Sequence, residues 1–445
     1  MASPPQSPVP RYIARIRVEG LFGQFDHDLV FRDGVPANPN LLILYGENGT
    51  GKTTLLWMLY HLLNRHPAEG HRSYLARQRF KRFFVRFTDG LQISAEREAA
   101  RPGDFGMTLS QGQEQIAAYE YKADENGRVP PATRKDPEHS RFVEALPYFN
   151  FGFLPHDRLT VSHEDGPQRR PPTLAPATPS EESSPISSSI ARAIGTARQR
   201  AIGASNQGQL TTNAIYTDLV QQIVHVDLTL PANGVEEKRL SLVQRLTHQA
   251  RLAREYSRFG LSSELQIEGL VGTLQTMLPE RLNIAAQVLE PFLLGNEARF
   301  AVLEPLHIAL TTMVGTVNSM YLNKRISLHL EKGLQISTFL TDEKLLPEQL
   351  SSGEQELLIL FCEVISALSP STVLFIDEPE LSLNVSWQKN LLEALLKCGS
   401  GSSVQFVIAT HSIELLTRYR SNVTRLSKTV VGPLEVNPEG GKAEA

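Results

Sequence analysis

Residues 44–56 read LYGENGTGKTTLL. Within them the pattern G-x-x-x-x-G-K-[ST] runs from Gly46 to Thr53. The apolar run LLILY leads in, and TLLWMLYHLL leads out with an amphipathic pattern. Strand, glycine-rich loop and helix together form the context that a phosphate-binding loop requires. Gly46, Gly49 and Gly51 let the backbone curl so that successive N–H groups point at one anion. The start of the helix adds its partial positive charge. On this reading the nucleotide contacts are Gly46, Glu47, Asn48, Gly49, Thr50, Gly51, Lys52, Thr53 and Thr54. Lys52 reaches the β- and γ-phosphates, and the Thr53 hydroxyl is a Mg²⁺ ligand. A plain glycine-rich turn is the bland alternative, and the flanking strand and helix speak against it.

Which kind of nucleotide machine this is depends on the far end of the chain. LSSGEQELLILF (350–361) opens a helix on a Ser-Ser-Gly corner, with glutamates in the first turn. Such a corner offers N–H groups and hydroxyls to an anion, although an ordinary helix cap reads the same way. STVLFIDEPELSLN (371–384) is a buried strand with Asp377 and Glu378 at its C-terminal edge, where open α/β sheets place ligands. Asp377 is then the second metal candidate beside Thr53. Glu378 is the candidate that orients and polarises an attacking water. VQFVIATHSIELL (404–416) is another apolar strand, ending in Thr410, His411 and Ser412. A histidine at that edge can hydrogen-bond a γ-phosphate or the water.

The order of these motifs resembles that of the ABC-type ATPases. Their Walker A, signature, Walker B, D-loop and H-loop match Gly46–Thr53, Leu350–Glu354, Val373–Glu378, Leu381–Asn384 and His411. The wording LFGQFDHDLVF, LSSGEQELLIL, IDEPELSLNVSWQ and ATHSIELL is similar to soluble AAA ATPase-domain proteins of the OLD-type and SMC/RecF-like group. It is less like transporter subunits. The resemblance covers roughly 11–160 and 315–420. It implies an α/β ABC-type P-loop head, with a mixed sheet, flanking helices and an inserted, mostly helical lobe. It also implies ATP and Mg²⁺ as cofactors, and a head-to-tail dimer in which Ser351, Ser352, Gly353 and Glu354 contact the nucleotide of a second copy. Glu378 and His411 carry the catalysis. No convincing Q-loop glutamine is present. The corner FLPHDRL places Arg158 where relatives often carry an arginine, with a surface salt bridge as its alternative. Asn384 stands where OLD-type relatives commonly have histidine. Phe22 is a candidate adenine contact, with core packing as its alternative.

Length and composition set the outer bounds. The 445 residues suffice for two or three domains, and 41% apolar with 21% charged residues is ordinary for a globular chain. A net charge of −4 makes no global case for nucleic acid. Cys362 and Cys398, in predicted helices without metal spacing, read as core thiols of a reducing compartment. No run approaches eighteen consecutive apolar residues and no signal peptide is evident, so a cytoplasmic protein with no membrane partner is expected. The expected organisation is a disordered tail (1–10), the N-terminal ATPase part (11–162) and a Pro/Ser-rich linker (163–189). A helical lobe (190–315), the C-terminal ATPase part (316–430) and a second disordered tail (431–445) follow. Hairpins are predicted at Asp89-Gly90 and Lys332-Gly333. Residues 101–140 read as mixed and partly loop, and a helix break is expected near Pro305.

Only about 34 residues follow His411, with no room for the TOPRIM nuclease domain of OLD-type nucleases. The preferred expectation is therefore an ATP-gated dimeric sensor. By resemblance it would serve an anti-phage or toxin–antitoxin-like defence system, with a separately encoded effector. The alternative is a RecF/SMC-like ATPase of DNA repair or chromosome maintenance. That reading needs a basic surface, for which 65–86 and Arg239, Arg245, Arg251, Arg254 and Arg258 are candidates.

Overall fold

The computed structural model describes residues 11–31, 38, 40–66, 70–130, 133, 135–159, 184–223, 235–369, 371–416 and 418–426. The side chains of 207–223 and 280 are outside that description. So are both expected tails, residues 160–162 and residues 163–183 of the expected linker. The chain divides into two compact units. One comprises 1–180, 369–381 and 403–445, and the other 181–368 and 382–402.

The first unit holds two sheets. Strands β1 (Ile13–Leu21) and β2 (Phe25–Val30) pair antiparallel. β4 (Arg82–Phe87) and β5 (Leu91–Glu96) form the hairpin expected at Asp89-Gly90, with Gly90 at φ 85°. β6 (Phe105–Gln111) and β7 (Glu114–Tyr121) form a further hairpin inside the stretch read as partly loop. The loop reading holds for 122–130 but not for 105–121, where Phe105, Met107, Leu109 and Tyr121 are buried in a period-two pattern beneath the polar composition. The six strands run in the order β2-β1-β4-β5-β6-β7.

The second sheet is parallel. β3 (Leu41–Tyr45), β8 (Asn150–Leu154), β12 (Thr372–Asp377), β13 (Gln405–Thr410) and β14 (Val423–Arg425) lie in the order β14-β3-β13-β12-β8. Every residue of β12 and β13 is buried, as expected of parallel strands covered on both faces. Helix α1 (Lys52–Leu63) follows β3 directly and buries Leu55, Leu56, Met58, Leu59 and Leu62. Helices α2 (His71–Arg77) and α3 (Pro137–Ala145) complete this core.

The other unit is mostly helical. It contains α4 (Pro185–Ile223), α5 (Val235–Ser257), α6 (Glu268–Thr276), α7 (Pro279–Met320), α8 (Ser352–Ser366) and α9 (Val385–Cys398). Strands β9 (Lys324–His329), β10 (Gly333–Thr338) and β11 (Lys344–Leu345) form a small sheet, with the hairpin expected at Lys332-Gly333. Two readings change. Helix α4 starts at Pro185, within the stretch read as linker. The break near Pro305 does not occur, because α7 runs on through Pro291 and Pro305. Proline removes one hydrogen bond from such a helix, but burial of Leu293, Leu303, Leu306, Leu310 and Met313 outweighs that loss. By length and composition Arg281–Met320 would also suffice to cross a membrane, with 44% of its most apolar window buried inside the protein. Polar and charged residues interrupt it throughout, so no unbroken apolar run marks it in the sequence.

Candidate nucleotide site

The loop between β3 and α1 adopts the expected curl. Gly49 and Gly51 have φ of 81° and 88°, a region in which a side chain is strained. Gly51 is the N-cap of α1 and no side chain caps the helix, so its first N–H groups stay open to an anion. Glu47, Asn48 and Gly49 are exposed, Gly46 and Thr50 are buried, and Thr53 and Thr54 are half-buried. Lys52 is buried and folds back, donating from Nζ to the carbonyls of Gly46 at 2.8 Å and Glu47 at 3.2 Å. The same Nζ lies 3.6 Å from Glu378 Oε1.

Parallel pairing brings the ends of β3, β12 and β13 together. Thr53 Oγ1 donates to Asp377 Oδ2 at 2.7 Å. Asp377 has no exposed surface, and its Oδ1 has no hydrogen-bond partner among the described residues. Burial raises its proton affinity, while the Thr53 hydroxyl, His156, Arg158 and Lys52 pull the other way. A buried carboxylate with one oxygen unsatisfied beside a threonine hydroxyl is a donor set that fits a hard divalent cation. The two metal candidates read from the sequence are thus brought into contact.

Glu378 follows at φ 47°, a left-handed conformation unusual for glutamate. Its N–H donates to the Ala409 carbonyl at 2.9 Å. Its Oε2 lies 2.5 Å from Nδ1 of His411, whose side chain is 53% exposed. Burial and the neighbouring Glu380 carboxylate push the Glu378 pKa up to about 7, against the pull of His411 and Lys52. Held there, Glu378 is able both to accept and to return a proton near neutral pH.

Arg158, offered as a site candidate or a surface salt bridge, has no exposed surface. One of its Nη2 hydrogens goes to the carbonyl of Asp377 at 2.8 Å, and Nη2 also donates to that of Glu378 at 2.7 Å. It braces the backbone that carries both carboxylates, so the surface alternative is corrected. Phe22 is half-buried beside Gly51, where an added Cβ would come within 3.1 Å of its ring. Residues missed from the sequence are His27, whose buried Nε2 is 3.2 Å from the Thr50 carbonyl, and Glu380.

The signature corner belongs to the other unit. Ser351 caps α8 and Glu354 reaches back to the Ser351 N–H at 2.8 Å, a capping box. The Glu354 carboxylate also binds Lys324 Nζ at 2.7 Å. Although burial acts to raise its pKa, these partners bring it below the usual range. Its carboxylate therefore serves the fold of its own unit. Ser351 and Ser352 are exposed. A Cβ on Gly353 would lie 2.6 Å from the Ser382 carbonyl, so glycine is needed for the helix to meet the loop at 382–384. Asn384 caps α9 through the Trp387 N–H at 3.0 Å. Of the arginines considered for DNA, Arg239 binds the carbonyls of Leu274, Gln275 and Met277. Arg245 pairs with Glu290 and Glu297, and Arg251 with Glu255. Arg254 and Arg258 are exposed.

Among solved structures, the chain is similar to the Smc head domain of Pyrococcus furiosus with an extended coiled coil, bound to the C-terminal domain of ScpA. The identity is 12% and the TM-score 0.40, with 93% of each chain covered. It is also similar to an SmcHead bound to the C-winged helix domain of ScpA, at 10% identity and TM-score 0.36, covering 93% of this chain and 94% of that one. The Smc head with coiled coil and joint of Pyrococcus yayanosii matches at 12% identity and TM-score 0.36, covering 93% and 95%. No curated protein sequence matches significantly. A family profile described as AAA domain, putative AbiEii toxin, Type IV TA system matches residues 41–206 and 313–417, more than half of the chain. With a P-loop, a buried Walker B strand and a histidine-bearing strand end in one parallel sheet, the chain belongs to this family of AAA ATPase domains.

Proposed function

We propose that the chain binds ATP with Mg²⁺ and hydrolyses it, and that a dimer of such chains is an ATP-gated switch in the cytoplasm. The observation that carries this reading is the convergence of Lys52, Thr53, Asp377, Glu378 and His411 at the ends of three adjacent parallel strands. Mg²⁺, held by Thr53 and Asp377, would supply positive charge to the phosphates. Lys52 exchanges its loop carbonyls for phosphate oxygens, keeping its charge near the same place. The open N–H groups at the start of α1 hold the same phosphates. Glu378 orients the attacking water and takes its proton, and His411 holds Glu378 or the γ-phosphate in place.

Ser351, Ser352 and Gly353 are proposed to meet the nucleotide of a second copy, as the likeness to OLD-type and SMC/RecF-like ATPases implies. The exposure of Ser351 and Ser352 supports this role. The family description, which names a putative toxin of a toxin–antitoxin system, supports a place in a toxin–antitoxin-like system, and the resemblance noted in the sequence extends this to anti-phage defence. A separately encoded effector docking on 190–315 is supported by exposed Ile284 and Val288, one turn apart on α7. The pairing of Arg239, Arg245 and Arg251 with groups of their own unit favours this reading over a DNA-repair role.

The test is ATP turnover by the purified chain with Mg²⁺, together with its mass in solution. Turnover and an ATP-dependent dimer are expected. A chain that neither turns over ATP nor changes mass would refute the proposal.

A further inference from the structure

Glu380 lies two residues beyond Glu378 and is 5% exposed. A carboxylate so placed needs strong partners, because an unsatisfied buried charge is expensive. Those partners come from the end of β13, 30 residues on. Glu380 Oε1 accepts from the Thr410 hydroxyl, from the His411 N–H at 3.2 Å and from the Ser412 N–H at 3.1 Å. The Ser412 N–H also reaches the Thr410 hydroxyl at 2.9 Å, closing a compact turn around the carboxylate. Nδ1 of His411 is 3.7 Å from the same oxygen.

The imidazole of His411 is 53% exposed, so packing does not hold it against Glu378 Oε2. Its backbone is what is fixed, and Glu380 supplies the acceptor for its N–H and for that of the next residue. Charge-assisted hydrogen bonds of this kind are about twice as strong as neutral ones. The route therefore runs from Glu380 through the turn 410–412 to the His411 ring, and from that ring to Glu378.

We propose that Glu380 is a positioning residue, whose buried carboxylate ties the end of β13 to the Asp-Glu-Pro-Glu corner and so sets His411 against Glu378. The inference rests on the ATPase reading for its functional consequence, though not for the anchoring itself. Positioning through the 410–412 turn has a recognisable signature, separate from the direct effect of the Glu380 carboxylate on Glu378. Its removal costs little further once His411 is gone, and an isosteric acceptor restores it.

The experiment uses the full chain and the variants Glu380→Ala, Glu380→Gln, His411→Ala and Glu380→Ala/His411→Ala. In Glu380→Ala, kcat is expected to fall to within about threefold of His411→Ala, with the Kd for a fluorescent ATP analogue changed less than about threefold. Glu380→Gln, whose amide oxygen accepts the same donors, should recover most of kcat. The double variant should be no slower than His411→Ala. Additive losses in the double variant, or a Glu380→Gln protein as impaired as Glu380→Ala, would overturn the proposal. Hydrogen exchange over 405–416 in the nucleotide-free chain decides the anchoring without any turnover. Faster exchange at His411 and Ser412 in Glu380→Ala supports it, and unchanged exchange rejects it. A wild-type chain that hydrolyses no ATP would defeat the proposed function, while the exchange result would still decide the role of Glu380.

Discussion

At the ends of β3, β12 and β13 in the first unit, Asp377, Arg158 and Lys52 are buried, and they and the half-buried Glu378 are bound to their neighbours. At the start of α8 in the second unit, Ser351 and Ser352 are exposed, the Ser351 hydroxyl capping the helix. Asp377, Arg158, Lys52 and Glu380 are all at or below 6% exposure; Lys52 is braced by the carbonyls of its own loop, and the other three by groups from a distant part of the sequence. In the signature corner the half-buried Gly353 and the buried Glu354 are engaged in packing and capping, while Ser351 and Ser352 are exposed. Buried polar groups that brace one another fix a geometry before any ligand arrives. Exposed groups on a capped helix end make a contact surface. On the proposed function, the first region is a preformed half-site and the second is suited to complete the half-site of another copy.

The comparison breaks most readily at Glu378. Glu378→Gln keeps shape and removes the charge that orients water, so turnover should fall about 10²–10⁴-fold with ATP binding retained. Turnover near that of the wild type, in a coupled phosphate-release assay, would remove the preformed half-site from the account. Lys52→Ala acts on binding instead. Losing a charge-assisted contact of about 1.5–3 kcal/mol should weaken ATP roughly 10- to 100-fold by titration. An unchanged Kd would mean that the lysine stays on its loop carbonyls.

Gly353→Ala tests the packing side of the second region. The new Cβ at 2.6 Å from the Ser382 carbonyl should destabilise by about 1–3 kcal/mol, seen as a lower Tm. A Tm equal to the wild type would show that the signature glycine is free of its own fold.

A smaller, pH-dependent effect sharpens the contrast from the first unit. His61 on α1 is buried, its Nδ1 is 2.8 Å from that of His71, and its ring stacks on Tyr74. Burial, with His71, Arg72 and Arg77 nearby, pushes its pKa from 6.5 down to about 2. The folded chain therefore keeps His61 neutral, while the unfolded chain takes up a proton below about pH 6.5. Stability should be full above that pH and fall as pH drops through it, by up to about 1.4 kcal/mol per unit. His61→Phe should flatten the decline in Tm between pH 6.5 and 4. A decline as steep as in the wild type would place the acid sensitivity elsewhere.

What could be read from the sequence was local. The P-loop, the Asp377-Glu378 edge and His411 announce themselves by strand-then-polar patterns, and the hairpins at Gly90 and Gly333 by their turn residues. Glu380 escaped notice because its partners lie 30 residues on, and nothing around it marks a glutamate that will be buried. Arg158 was visible as a candidate, but its burial against the Asp377 and Glu378 carbonyls depends on a pairing of β8 with β12 over some 220 residues. Glu354 shows the opposite case. Its position three residues after Ser351 is a capping-box spacing, and the resemblance to a signature motif drew the reading toward nucleotide contact. The continuity of α7 was hidden because proline propensity is local, while the burial that overrides it is tertiary.

The central claim is that the half-site of one chain is completed by the signature corner of another, and a mixing experiment tests it most directly. Lys52→Ala lacks a working P-loop but keeps its signature. Ser351→Asp keeps the cap of α8, since aspartate caps as well as serine, but places negative charge where a phosphate would lie. Each variant alone should be inactive. An equal mixture should regain roughly a quarter of wild-type turnover, because half of the two-fold dimers then hold one intact composite site. A mixture no more active than its two components would contradict the account.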